Sequence, residues 1–159
     1  MKTTVRAALL VIAFALAACN STSSNSTPNT ISNISGDYTG TVQDSISGTL
    51  PATATLSQHG SAAGGVLTTT SGAVALNSAI TLVVTTSNAV SGTIVQDLPG
   101  GTTCTFSTTG NYNTGSQQIT GSYSAVTGCS GESGTYTLNQ QCTDTVTSVE
   151  RRAMGVPKC

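Results

Sequence analysis

From about residue 36 onward the chain alternates small hydroxylated residues with apolar ones, in short runs broken by glycine and asparagine. Thr53, Thr55 and Ser57 alternate with Ala52, Ala54 and Leu56. Ile80, Leu82 and Val84 share one parity, and Thr81 and Thr85 the other. Cys104 and Phe106 alternate with Thr105 and Ser107, and Tyr136 and Leu138 with Thr135, Thr137 and Asn139. A two-residue period sends these sets to opposite faces of an extended strand, one wet and one buried, as antiparallel sheets require. No helix-length stretch carries apolar residues at the three- and four-residue spacing of a buried helix face. Ser and Thr make up about a third of the chain, and Thr, Val, Ile and Tyr favour strands. The expectation is an all-β domain.

A repeat of the form apolar-x-Gly-x-apolar runs through it, as Tyr38-x-Gly40-x-Val42, Ala62-x-Gly64-x-Val66, Val90-x-Gly92-x-Ile94 and Ile119-x-Gly121-x-Tyr123. Its glycines fall 24 to 29 residues apart, the length of a two-strand hairpin with its loops. An inward glycine on alternate strands lets a small sheet bend and coil. Four hairpins predict eight strands, near 37–45, 50–58, 62–70, 78–86, 89–97, 103–112, 117–126 and 133–142. Thr39-Gly40-Thr41-Val42-Gln43-Asp44 is echoed by Ser91-Gly92-Thr93-Ile94-Val95-Gln96-Asp97, which hints at a four-strand duplication. Eight meandering strands hide their edges by closing into an antiparallel up-and-down barrel; the alternative is a β-sandwich. The pattern is similar to the small lipocalin-like and avidin-like barrels and to Thr/Gly-rich barrel lipoproteins. The chain has neither a Gly-x-Trp in its first strand nor any Trp, so the ligands of those two families are not implied.

The first residues carry a separate message. Lys2 and Arg6 precede the uncharged run from Ala7 to Ala17, which is shorter than the roughly 20 residues of a membrane span and fits a secretory signal peptide. It ends on Leu16-Ala17-Ala18-Cys19, which resembles the lipobox of bacterial lipoproteins at every position. That resemblance implies removal of residues 1–18, diacylglycerol on the Cys19 thiol and a membrane partner reached through the N-terminal lipid. Asn20 after the lipidated Cys favours the outer membrane. Residues 19–35, rich in Ser, Thr and Asn, read as a flexible tether. The barrel domain is expected over 36–142, and 143–159 as a tail.

With Cys19 lipidated, four cysteines remain in an oxidising compartment. Cys104 opens one strand and Cys129 follows its hairpin partner, at the same pole. Cys142 ends the last strand, roughly 27–30 Å away at about 3.3 Å per residue, beyond the reach of a disulfide, about 7 Å between Cα atoms. The expected bridges are Cys104–Cys129 and Cys142–Cys159, the second tying the tail back. The spacings contain no Cys-x-x-Cys, and the chain has one histidine, so no metal site is expected.

Charge narrows the function further. Only 7% of residues are charged, and after the signal segment the cations are Arg151, Arg152 and Lys158. A nucleic-acid partner, which needs several cations to neutralise phosphates, is excluded. His59, where a strand meets a glycine turn, reads as a polar loop residue. Asp44 and Asp97 close equivalent strands and read as turn caps, with a carboxylate pair or calcium site as the rival. There is no Gly-x-Ser-x-Gly elbow and no phosphate loop, so neither an enzyme nor a cofactor is expected. The inward set is Tyr38, Val42, Leu56, Val66, Leu82, Ile94, Phe106, Tyr112, Tyr123 and Tyr136. Two functions fit: a non-catalytic structural or interaction domain of a lipid-anchored envelope protein, or a carrier for a small neutral hydrophobic ligand. The carrier's ligand contacts would be Tyr38, Leu56, Leu82, Ile94, Phe106, Tyr123 and Tyr136. The structural domain's partner would be an envelope protein.

Overall fold

The computed structural model describes residues 30–141. Eight strands follow one another: β1 (Gly36–Asp44), β2 (Gly48–His59), β3 (Ala62–Ser71), β4 (Val74–Val84), β5 (Ala89–Asp97), β6 (Thr103–Asn113), β7 (Gln118–Thr127) and β8 (Ser133–Gln140). Each pairs antiparallel with its neighbours in sequence, and β8 returns to pair with β1, so the sheet closes into a barrel without an edge. The expected up-and-down barrel is the fold observed, and the sandwich is set aside.

The alternation read in the sequence sets inside from outside. Ala52, Ala54, Leu56, Ile80, Leu82, Val84, Phe106, Tyr136 and Leu138 are all buried in one core, while Thr53, Thr55, Ser57 and Thr81 face solvent. This is the inverse of the arrangement by which a barrel spans a bilayer, where the apolar face turns outward. Coiling so narrow a sheet requires backbone to approach backbone inside it. A Cβ on Gly40 or Gly92 would collide with the carbonyl oxygen of Thr137 or Thr81 on the neighbouring strand.

Strand β3 departs from the expected register by one residue. Val66, placed inward by the repeat, is 48% exposed, and Ala63 and Leu67 are buried instead. The inward glycine is Gly65, whose Cβ would strike the Thr55 carbonyl, whereas at Gly64 the nearest atom is Ile80 O at 3.4 Å. Ala63-x-Gly65-x-Leu67 satisfies the same motif, so the repeat holds and its frame in this strand moves. Strand β4 also starts earlier than expected. Gly72, at φ 60°, makes a tight turn with Ala73, so the strand expected from 78 begins at Val74.

The two poles are closed differently. At the pole where β1 begins, residues 30–35, assigned to the tether from composition, form a plug. Ile34 is fully buried, its N–H donates to Gln58 Oε1 at 2.7 Å, and its carbonyl accepts the Tyr38 hydroxyl at 2.8 Å. Gln58 Nε2 donates to Ser32 O at 3.0 Å, and Gln140 Nε2 to Ser35 O at 2.7 Å. Ser32 Oγ donates to Asn88 Oδ1 at 2.6 Å. Polar groups that burial would otherwise orphan are thereby paired. The other pole is formed by the loops β1–β2, β3–β4, β5–β6 and β7–β8, and is called the mouth below.

Candidate functional site

Beneath the mouth lies a cavity of about 210 Å³. Its apolar wall includes Val42, Leu50, Leu67, Leu76, Ile94, Leu98 and Phe106, and its polar groups come from Asp44, Ser78, Gln96, Tyr123, Glu132 and Tyr136. At the opposite end the plug, with Ile34 fully buried, fills the barrel. Of the sequence-proposed contacts, Ile94, Phe106, Tyr123 and Tyr136 line the cavity. Tyr38, Leu56 and Leu82 point inward but belong to the packed half, at 1%, 4% and 2% exposure.

Two reciprocal Tyr–Gly pairs position the tyrosines. Across β7 and β8, Gly121 pairs with Tyr136 and Tyr123 with Gly134. A Cβ on Gly121 would lie 2.5 Å from Tyr136 Cζ, and one on Gly134 2.7 Å from Tyr123 Cζ. Each ring lies over the neighbouring strand's glycine, the device by which an aromatic covers bare backbone in a sheet. Phe106 meets the Tyr123 ring edge to face, centroids 5.4 Å apart. Tyr136 OH and Thr108 Oγ1 share a buried hydrogen bond of 2.9 Å, and Thr108 Oγ1 donates to Ser122 O at 3.0 Å.

Asp44 is the centre of the polar side. It is a turn cap, as expected: Oδ1 accepts the N–H groups of Ile46 at 2.9 Å and Ser47 at 2.6 Å. It is also a wall of the cavity, since Oδ2 accepts the Tyr123 hydroxyl at 2.6 Å. Burial alone would raise its carboxyl pKa, but the hydrogen bonds from Tyr123, Ser47, Ile46 and Glu132 outweigh that and hold it below the ordinary range. Glu132, in the β7–β8 loop, moves the other way, through burial first and then the charge and hydrogen bond of Asp44. Of the two carboxyls, Asp44 therefore releases its proton the more readily. Burial, then the Asp44 hydrogen bond and the two carboxyl charges, push the Tyr123 hydroxyl pKa well up, so it stays a neutral donor.

The partner of Asp44 is therefore Glu132, not Asp97, which is exposed and accepts Thr103 Oγ1 at 2.6 Å. Glu132 has no signal in the sequence beyond lying in a glycine-rich loop. The loop is fixed by the Cys104–Cys129 disulfide, the pairing expected, with Cα atoms 5.3 Å apart. Cys19, Cys142 and Cys159 lie outside the described residues, and with them the expected lipid anchor and second bridge. His59 is exposed at the end of β2, at the plugged pole. Among the described residues no group of His, Cys, Asp and Glu has the arrangement of a metal site.

Fold and cavity together define a small closed β-barrel with an acid-rimmed, tyrosine-lined mouth. No protein-family model matches the chain, and a search of curated proteins finds no match.

Proposed function

We propose that this chain is a lipid-anchored, extracytoplasmic barrel protein that holds a small, largely apolar molecule in its mouth. The observation that carries the binding role is the cavity of about 210 Å³, bounded by four of the side chains expected to meet a ligand. An engineered apolar cavity of about 150 Å³ accommodates benzene, so the space suits one ring or a short branched chain. It is too small to enclose a long acyl chain. The role is one of holding and release, with no chemical step and no cofactor. Export and anchoring rest on the Lys2 and Arg6 start, the apolar run and the lipobox-like Leu16-Ala17-Ala18-Cys19. Asn20 favours the outer membrane within the cell envelope.

The filled half of the barrel favours a second reading, in which the domain is a structural element acting through its Thr/Ser exterior on an envelope protein. Native mass spectrometry of the full chain, taken from its own envelope in mild detergent, separates the two. A stoichiometric adduct of low mass beyond the lipid supports the holding role. A mass with lipid alone, unchanged after incubation with small aromatic compounds, refutes it in favour of the structural one.

A further inference from the structure

We propose that the mouth is selective for a small organic cation, a protonated amine on a compact apolar body. This rests on the cavity being a ligand site, and it names the class of ligand. The Asp44 carboxylate is 8% exposed and lines the cavity. An ionised group so far from water needs a counter-charge or dense hydrogen bonding. The fold supplies only the second. Residues 30–141 contain no Lys and no Arg, and the one base, His59, lies at the opposite pole. An ammonium group entering the mouth would bring the opposite charge that the described barrel lacks.

The facing wall makes an independent case. Ser78 is 4% exposed and lines the cavity from β4, and its hydroxyl joins none of the side-chain hydrogen bonds found among the described residues. No buried side-chain polar atom among the described residues lacks a partner, so this hydroxyl opens onto the cavity, where it can accept or donate a hydrogen bond. Asp44 on β1 and Ser78 on β4 thus put polar oxygens on two walls of one cavity. The Phe106 and Tyr123 rings line the same cavity and give the apolar body of such a ligand surface to pack against. An anion would meet the Asp44 charge with no Lys or Arg among the described residues to offset it. A neutral molecule would leave that charge as it is.

The test is a charge series of nearly constant shape on the full chain in dodecyl maltoside near pH 7: benzylamine, benzyl alcohol and benzoate, followed by titration calorimetry or ligand-detected NMR. Benzylamine should bind at least about tenfold more tightly than benzyl alcohol, as one charge-assisted contact implies, and benzoate should not bind. In Asp44→Asn the preference for amine over alcohol should collapse to within about twofold. The series on the unaltered chain decides the matter even if that variant fails to fold. Alcohol binding as tightly as amine overturns the cation preference while leaving the mouth a ligand site. If none of the three binds, and uncharged toluene does not either, the preference and the holding role both fall.

Discussion

Gly64 and Gly65 are neighbours in β3, and replacing each with alanine should move stability in opposite directions. At Gly65 the new methyl would be driven into the Thr55 carbonyl, with Leu56 Cα only 3.1 Å away. The obstacle is backbone of a paired strand, so relief requires the two strands to separate. Overpacking usually costs about 1–3 kcal/mol, and a clash with fixed backbone belongs at or above the top of that range. At Gly64 the nearest atom, Ile80 O, is 3.4 Å away, so the methyl fits and points outward. Loss of unfolded-state freedom there should contribute about 0.4–1 kcal/mol of stability. With roughly 4 °C of melting temperature per kcal/mol for a domain of this size, Gly65→Ala should melt about 12 °C lower or fail to fold. On the same scale Gly64→Ala should melt about 2–4 °C higher. Far-ultraviolet circular dichroism during heating reads both. If Gly64→Ala is the damaging one, β3 runs with Gly64 and Val66 inward, and the cavity wall containing Leu67 is wrong.

Three further outcomes follow from the same structure. Tyr38→Phe leaves the buried Ile34 carbonyl without its donor and should cost about 1–3 kcal/mol, with faster amide exchange across 30–35 than at the mouth. Opening the Cys104–Cys129 bridge, which spans 25 residues, should lower stability by about 3.5 kcal/mol on the chain-entropy account, read as a lower denaturation midpoint in a Cys104→Ala/Cys129→Ala variant. Glu132 has a raised pKa, so its contribution to stability is complete below its ordinary value of 4.5 and is lost as pH rises through the raised value. The titratable groups coupled to it are Asp44 and Tyr123, and the tyrosine stays neutral there. Glu132→Gln should flatten the decline in melting temperature above pH 4.5, and a slope equal to that of the unaltered protein would refute the carboxyl pairing.

The alternation made the barrel legible, because period two with one apolar face admits few other folds, and a closed meander is the simplest. Strand β5 was placed without error at 89–97 and β6 within a residue, since Asp97 and the following Leu98-Pro99-Gly100-Gly101 mark their limits. Parity in β3 was not legible. Ala62-Ala63-Gly64-Gly65-Val66-Leu67 is apolar or small at every position, so either frame satisfies the repeat. Only pairing with β2 and β4 decides between them. The inward tyrosines could be read from sequence, but which of them face open space could not, because that depends on where the plug stops. Ile34 was hidden in a polar stretch by composition, and Glu132 by belonging to a loop. Asp44 was seen as a turn cap, and its second role required knowing that the Tyr123 hydroxyl reaches across to it.

The chain enters and leaves the barrel at one pole. Ile34 and Ser35 lead into β1 there, and Gln141, whose N–H donates to Asp37 O at 2.6 Å, follows β8 out beside them. Mechanically the barrel is a cup on a stem: any load on the N-terminal side is felt first by the plug and the β1–β8 seam, while the rim consists of hairpin loops with neither end of the described residues among them. Under the proposed lipid anchor, the stem leads to the bilayer from the base of the cup. Cargo would then pass between the cup and the aqueous space or a docking protein, instead of sliding directly out of the lipid.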